Sequence, residues 1–165
     1  MRITETITYH APVEVVYAMK TNPEFQERKC ADSGALQHDV AVRQNGDGAL
    51  VVTRRDLSTD GLPDFVKSIV GARLSITETY QWDGWRADGS REGTLTVEAA
   101  GAPVAMRGTV HLEPVPAGTN LNIAGDLKAH IPLIGGRIEK AAAPAFIKAL
   151  RSEHESGRRW LDEHA

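Results

Sequence analysis

Four polar side chains carry most of the chemistry this sequence offers: Glu5, His38, Glu78 and one of the neighbours Arg54 and Arg55. Each falls in a stretch where apolar and polar residues alternate, on or close to the parity of the apolar set. A histidine beside a carboxylate in an apolar enclosure can work as a general acid/base pair, its pKa and its partner's moved by burial and by each other. The catalytic pairing this predicts is His38 with Glu5 or Glu78. The same residues also suit a purely structural pair, since buried charges are normally matched. Leu50-Val52-Arg54 and Val51-Thr53-Arg55 alternate equally well, so the inward arginine stays open at this stage.

The densest aromatic group is Tyr80, Trp82 and Trp85. Tyr80 and Trp82 share the inward parity, either to stack on a flat ligand or to fill the core. His154 lies on an apolar helical stripe, whereas His111 shares parity with Arg107, Thr109 and Glu113 and faces solvent. No histidines stand three or four apart, so there is no metal-ligand spacing, and no cofactor is expected. Gly135-Gly136 lacks the rest of any phosphate-binding pattern and reads as a strand-to-helix turn. No Gly-x-Ser-x-Gly elbow is present. The single cysteine, Cys30, follows Arg28 and Lys29, which would lower its pKa if it were reactive; a small inert thiol in a short helix is the simpler reading.

The elements that position these residues follow from periodicity. Ile3, Glu5, Ile7 and Tyr9 share one parity and predict a first strand. Ala11-Pro12 starts a helix through Met19, and Asn22-Pro23 separates it from a second short helix over 24–31. Strands follow at 36–43 and 49–58, joined by the turn Asn45-Gly46-Asp47-Gly48. After a loop over 61–71 with a helical turn or two, four more strands are predicted near 73–83, 91–100, 103–114 and 119–130. The last segment, 136–164, shows Ile147, Leu150, His154, Gly157 and Leu161 at three- and four-residue steps, one buried stripe of a long helix. Pro144 is expected to kink this helix or divide it. At 1.5 Å per residue such a helix spans about 40 Å and must cross nearly the whole molecule.

The 165 residues fit one domain spanning 1–165, with 41% hydrophobic and 25% charged residues, a globular balance. A net charge of −3 without a basic stripe argues against nucleic-acid partners. No segment approaches the apolar length of an integral membrane helix, and the alternating N-terminus is unlike a signal peptide. A cytoplasmic location is the expectation.

The fold class this predicts is α+β: a curved seven-stranded antiparallel sheet wrapped around a long C-terminal helix, with two short helices after strand 1. Gly108 and Gly125, on the inward parity of the last two strands, permit the sharp bending that such wrapping needs. A sheet curled around one helix bounds more volume than the helix fills, and an apolar interior space is the usual form of a small-molecule site. The expected lining is His38 and Val40 from the second strand, Ile76, Glu78, Tyr80 and Trp82 from the fourth, and Val97, Met106, Val110 and Ile123 from the last three. Ile147, Leu150 and His154 of the helix complete it.

Two stretches carry a family likeness. The opening strand followed by Ala11-Pro12-Val13-Glu14-Val15-Val16-Tyr17, and the closing Asp126-Leu127-Lys128-Ala129-His130-Ile131-Pro132-Leu133-Ile134-Gly135-Gly136-Arg137-Ile138-Glu139, resemble the START-related (SRPBCC) helix-grip superfamily. That superfamily comprises lipid-transfer proteins, plant allergens and polyketide cyclases; the closing stretch resembles a bacterial branch known only as a domain of unknown function. The likeness covers essentially the whole chain and implies that the strands of Glu5 and His38 lie side by side, as do those of Arg54/Arg55 and Glu78. It specifies no reaction, because this fold hosts carriers, receptors and enzymes alike. The first functional expectation is binding or transport of a small hydrophobic molecule such as a lipid, polyketide or aromatic metabolite. A cyclase or dehydratase built on His38 is the alternative, and a protein-interaction module the third. An internal void above about 300 Å³ distinguishes a ligand site from a filled interior.

Overall fold

Period-2 patterning and the turn residues between the apolar runs produce seven strands, and the computed structural model, which describes residues 1–165, joins all of them in one antiparallel sheet. In chain order the elements are β1 (Arg2–Tyr9), α1 (Val13–Lys20), α2 (Pro23–Asp32), β2 (Gln37–Asn45), β3 (Gly48–Ser58), α3 (Asp64–Val70), β4 (Arg73–Trp85), β5 (Arg91–Ala99), β6 (Val104–Val115), β7 (Gly118–Ala129) and α4 (Gly135–Glu163). Asn22 caps α2, its side-chain oxygen accepting from the Glu24 amide at 2.8 Å, and Pro23 supplies the preset φ of the first turn. The β2–β3 turn closes Asn45 onto Gly48, with Gly46 at φ 60°.

The sheet order is β1-β7-β6-β5-β4-β3-β2. β1 pairs with the last strand, not with β2, so these two strands occupy opposite edges and α1 and α2 carry the chain across. The expected adjacency of the Glu5 and His38 strands is therefore wrong. The β3–β4 adjacency is present and settles the arginine parity: Arg55, not Arg54, faces the concave side.

The curvature has a visible origin in β6 and β7. Gly108 and Gly125 stand directly opposite each other, so closely that a Cβ on Gly108 would lie 2.2 Å from the Ala124 carbonyl oxygen and 2.6 Å from the Gly125 Cα. Only residues without side chains let two strands fold inward to that degree.

α4 runs unbroken for 29 residues, with Pro144 on its exposed face rather than at a division between two helices. Its buried positions are Ile138, Ala143, Leu150, Glu153, Ser156, Gly157 and Trp160, a stripe rotated from the expected one. Leu150 and Gly157 belong to it, whereas Ile147, His154 and Leu161 lie half-buried along one flank. The two halves of α4 pack differently. Toward the C-terminus, Trp160 meets Phe25 edge-on at 5.7 Å, and a Cβ on Gly157 would lie 2.8 Å from the Tyr9 ring. Toward the N-terminus the helix borders the space above the sheet with Ala141, Ala142, Ala145 and Ala149, of which Ala145 is also exposed, and these short side chains do not reach across the gap. No helix is long and apolar enough to cross a membrane.

Candidate functional site

The gap under the alanine-rich half of α4 is a cavity of about 180 Å³. The concave faces of β3 to β6 form its floor through Leu57, Leu74, Ile76, Val97 and Met106, with Leu127 of β7 beside them. Leu62, Val66 and Val70, from α3 and the loop before it, cover one end, and Val66 packs with Ala129 and Ile138 in a small cluster separate from the main core. The volume lies below the 300 Å³ mark set above. It is nonetheless walled almost entirely by aliphatic carbon, the surface that a small apolar guest requires.

At the opposite end the wall turns polar, where Arg55, Glu78 and Glu153 line the cavity. Behind them stand Lys20, at the end of α1, and Lys29 of α2, and the five groups form a row of alternating charge. The Lys20 ammonium contacts the Glu153 carboxylate. Lys29 Nζ lies 3.5 Å from the other Glu153 oxygen and donates to Glu78 Oε1 at 2.5 Å. Arg55 Nη2 lies 3.7 Å from Glu78 Oε2. Every one of these side chains is at most 7% exposed. The Tyr80 ring forms a base under the row, 4.7 Å from Lys20 Nζ and 5.6 Å from Lys29 Nζ, a cation–π geometry that helps offset the desolvation of two ammonium groups.

The row perturbs its own members. Burial by itself would raise the pKa of Glu78, but the charges of Lys29, Arg55 and Lys20 outweigh it and hold the carboxyl down at about 2. Burial, and then the Lys29 charge, push Lys20 down to about 7 against the pull of Glu78. Tyr80 is held well above its ordinary value by burial and by Glu78, so its phenol keeps its proton. Cys30 is buried and its thiol pKa is raised, burial prevailing over Lys29 and Arg55, which agrees with an inert thiol. The depressed Glu78 value makes stability depend on acid. In the unfolded chain Glu78 takes up its proton near 4.5, in the folded one near 2. Its contribution is therefore complete above 4.5 and lost as the pH falls from there toward 2. Urea midpoints measured across that range are expected to fall steeply for the wild type and more gently for Glu78→Gln.

Of the residues expected to line a site, Ile76, Glu78, Val97, Met106 and Leu150 border the cavity. The others do not. Tyr80 and Trp82 stack on each other at 5.9 Å within the main core, which Val110 and Ile123 share. Val40 and Ile147 are half-buried outside the lining. His154 Nε2 lies 3.2 Å from the Thr8 carbonyl and its ring meets Tyr9 edge-on, so it fastens α4 to β1. His38 has the inward parity, directly opposite Arg55, but β2 is an edge strand and the ring sits at the rim with Nε2 2.6 Å from Glu27 Oε2. Glu5 is half-buried on the far edge. The expected pairings of His38 with Glu5 or Glu78 are thus replaced by a surface pair with Glu27, away from the cavity. The residues missed were Lys20, Lys29 and Glu153, together with the alanines of α4. All three charged residues lie at helical spacing on apolar faces: Val13, Val16 and Lys20; Phe25 and Lys29; Leu150, Glu153 and Gly157.

A bent antiparallel sheet that grips one long helix above an apolar cavity defines the START-like helix-grip class of folds. Within that class the chain belongs to the family described as "Protein of unknown function (DUF2505)", which it matches over residues 4–161. A relative from Mycobacterium tuberculosis strain H37Rv, described as uncharacterized protein Rv0481c, is 26% identical over 93% of this chain and 92% of its own length. Among solved structures, TTHA0849 from Thermus thermophilus superposes with a TM-score of 0.63 at 16% identity, over 100% of this chain and 98% of the other. A START superfamily protein from Mycobacterium smegmatis gives 0.56 at 13% identity, with 99% of each chain covered. Human STARD10 gives 0.60 at 8% identity, covering 99% of this chain and 66% of that one. At these identities the superpositions establish a shared fold.

Proposed function

We propose that this protein binds a small, mainly apolar molecule in the cavity beneath α4, as a carrier or receptor rather than as a catalyst. The observation that supports this reading most directly is the run of four alanines on α4 facing an aliphatic floor. Interiors ordinarily pack to crystal-like density, and leucines at these positions would close the space at a gain in buried apolar area. A helix that elsewhere buries leucine and tryptophan but keeps methyl groups here leaves room for something else. The volume suits a short acyl chain or a single ring, and a larger guest requires α3 to draw back. The likeness to START-superfamily structures is consistent with this use of the interior. The cavity wall carries no histidine, and Lys20, whose pKa burial lowers to about 7, stands behind Glu153 rather than in the wall, so the acid/base alternative has no such group facing a guest.

Isothermal titration calorimetry with 1-octanol, an uncharged probe, tests the reading. The wild type is expected to bind it, and the double variant Ala142→Leu/Ala149→Leu to lose that binding while keeping or raising its melting temperature, since the new side chains occupy the space the probe would fill. Absence of binding to the wild type, or unchanged binding by the filled variant, would reject a ligand site here.

A further inference from the structure

We infer that the guest is an amphipathic monocarboxylate, its chain lying among the α4 alanines and its carboxylate bound by the Arg55 guanidinium. This rests on the cavity being a ligand site. The inference comes from the charge row. With Lys20 protonated, Lys20, Lys29 and Arg55 carry three positive charges, and Glu153 and Glu78 two negative ones, so an alternating row begins and ends on a cation. The inner cation, Lys20, contacts Glu153 and rests over the Tyr80 ring.

The outer one, Arg55, is the incomplete end. Its one acidic neighbour is Glu78, at a distance too long for a hydrogen bond, and its buried Nε has no partner. Guanidinium groups at such burial normally satisfy most of their five N–H donors, and leaving them unpaired is costly. Arg55 lines the cavity, so its side chain borders the space a guest would occupy.

No other carboxylate of the row is free to complete it. Glu78 is committed to Lys29, and Glu153 to Lys20 and Lys29. His38, across the strand pair, is engaged with Glu27 at the rim. Cys30 on α2 is a protonated thiol. A single negative charge at Arg55 would therefore finish the alternation and neutralise the row. That favours a carboxylate, whose two oxygens match the planar fork, over a dianionic phosphate, which would overshoot by one charge. With an apolar cavity at one side of the guanidinium and the charge row at the other, the ligand chemistry is that of a short fatty acid or an aryl-alkanoic acid.

The test compares octanoate with 1-octanol, which has the same chain length without the charge. Octanoate is expected to bind wild-type protein at least about tenfold more tightly. Arg55→Met, which keeps a long unbranched side chain, is expected to abolish that preference while retaining 1-octanol binding, and Arg55→Lys to restore part of it. Equal affinities for the two probes in the wild type, a comparison that needs no variant, would overturn the inference and leave the cavity reading standing. So would an octanoate preference that persists in Arg55→Met. Octyl phosphate binding more tightly than octanoate would also overturn it. If neither octanol nor octanoate binds, the underlying reading fails as well.

Discussion

Replacing Glu78 with alanine is expected to remove about 3–5 kcal/mol of folding stability, the usual cost of taking one partner from a buried ion pair. The size follows from what remains. Lys29 loses its 2.5 Å acceptor and keeps only the 3.5 Å contact with Glu153, and Arg55 loses its one carboxylate neighbour. Two cations would then stand nearly uncompensated beside Lys20, whose ammonium the Lys29 charge already disfavours. Urea denaturation of the single variant gives the loss directly. The double variant Lys29→Met/Glu78→Leu removes one charge of each sign, leaves the alternation of Lys20, Glu153 and Arg55 with the same net charge, and replaces polar groups by apolar ones of similar length. It is expected to recover most of the loss, so that the two substitutions couple by about 2 kcal/mol or more. Additive losses would mean that Lys29 and Glu78 contribute independently rather than as members of one row.

Recovery in that double variant would also bear on why the row exists. An apolar replacement of a buried ion pair is commonly neutral or stabilising, so the five charged groups are poorly explained as a device for stability. All five stand together at one end of the cavity. A charged row that costs desolvation and ends on an unsatisfied guanidinium makes physical sense as a fixed recognition element, oriented in advance by its own internal pairing. On this view Glu78 holds Lys29 and Glu153 holds both lysines, and together these pairs keep Arg55 beside the guest's space with its donors free.

The contrast between what could be read in the sequence and what could not follows from the same division. Strand parity and turn residues are local properties, so the seven strands, the two short helices and the long last helix were all legible from patterns such as Leu74-Ile76-Tyr80-Trp82 and Asn45-Gly46-Asp47-Gly48. Two kinds of information were not local. One is which strands become neighbours: Glu5 and His38 lie on parities that both point inward, but the β1–β7 pairing sends them to opposite edges. The other is burial of charge. Lys20, Lys29 and Glu153 sit at helical spacing on otherwise apolar faces, yet a charged side chain in such a place reads as the border of the face unless its partners are known, and those partners come from three different helices. The same blindness rotated the α4 stripe, because a stripe drawn through Leu150 and His154 passes Glu153 by. Alanine is ambiguous for a related reason. Ala142 and Ala149 are buried methyl groups to any hydropathy reading, and only the distance to the opposite wall turns them into the boundary of a cavity.

The bend that creates that distance gives the second large effect. Gly108→Val is expected to destabilise the fold by about 3 kcal/mol or more, at or beyond the upper end for overpacked interiors. The added Cβ would meet the Ala124 carbonyl oxygen at 2.2 Å and the Gly125 Cα at 2.6 Å, both of them backbone atoms of the paired strand. A flexible side chain can swing aside, but a ladder strand cannot move without breaking its own hydrogen bonds, so β6 and β7 would have to open. Opening them flattens the concave face on which α4 rests, and the loss should therefore spread to the contacts of Leu150 and Trp160 rather than stay at the site. Gly136→Ala is the matching control: it lies in the first turn of α4, a Cβ there would meet nothing within 4 Å, and helix propensity favours the change by about 0.5–1 kcal/mol. Equilibrium unfolding of the two variants separates the explanations. If Gly108→Val proved as mild as Gly136→Ala, the close approach of β6 and β7 would not be what curves this sheet, and the room beneath α4 would need a different cause.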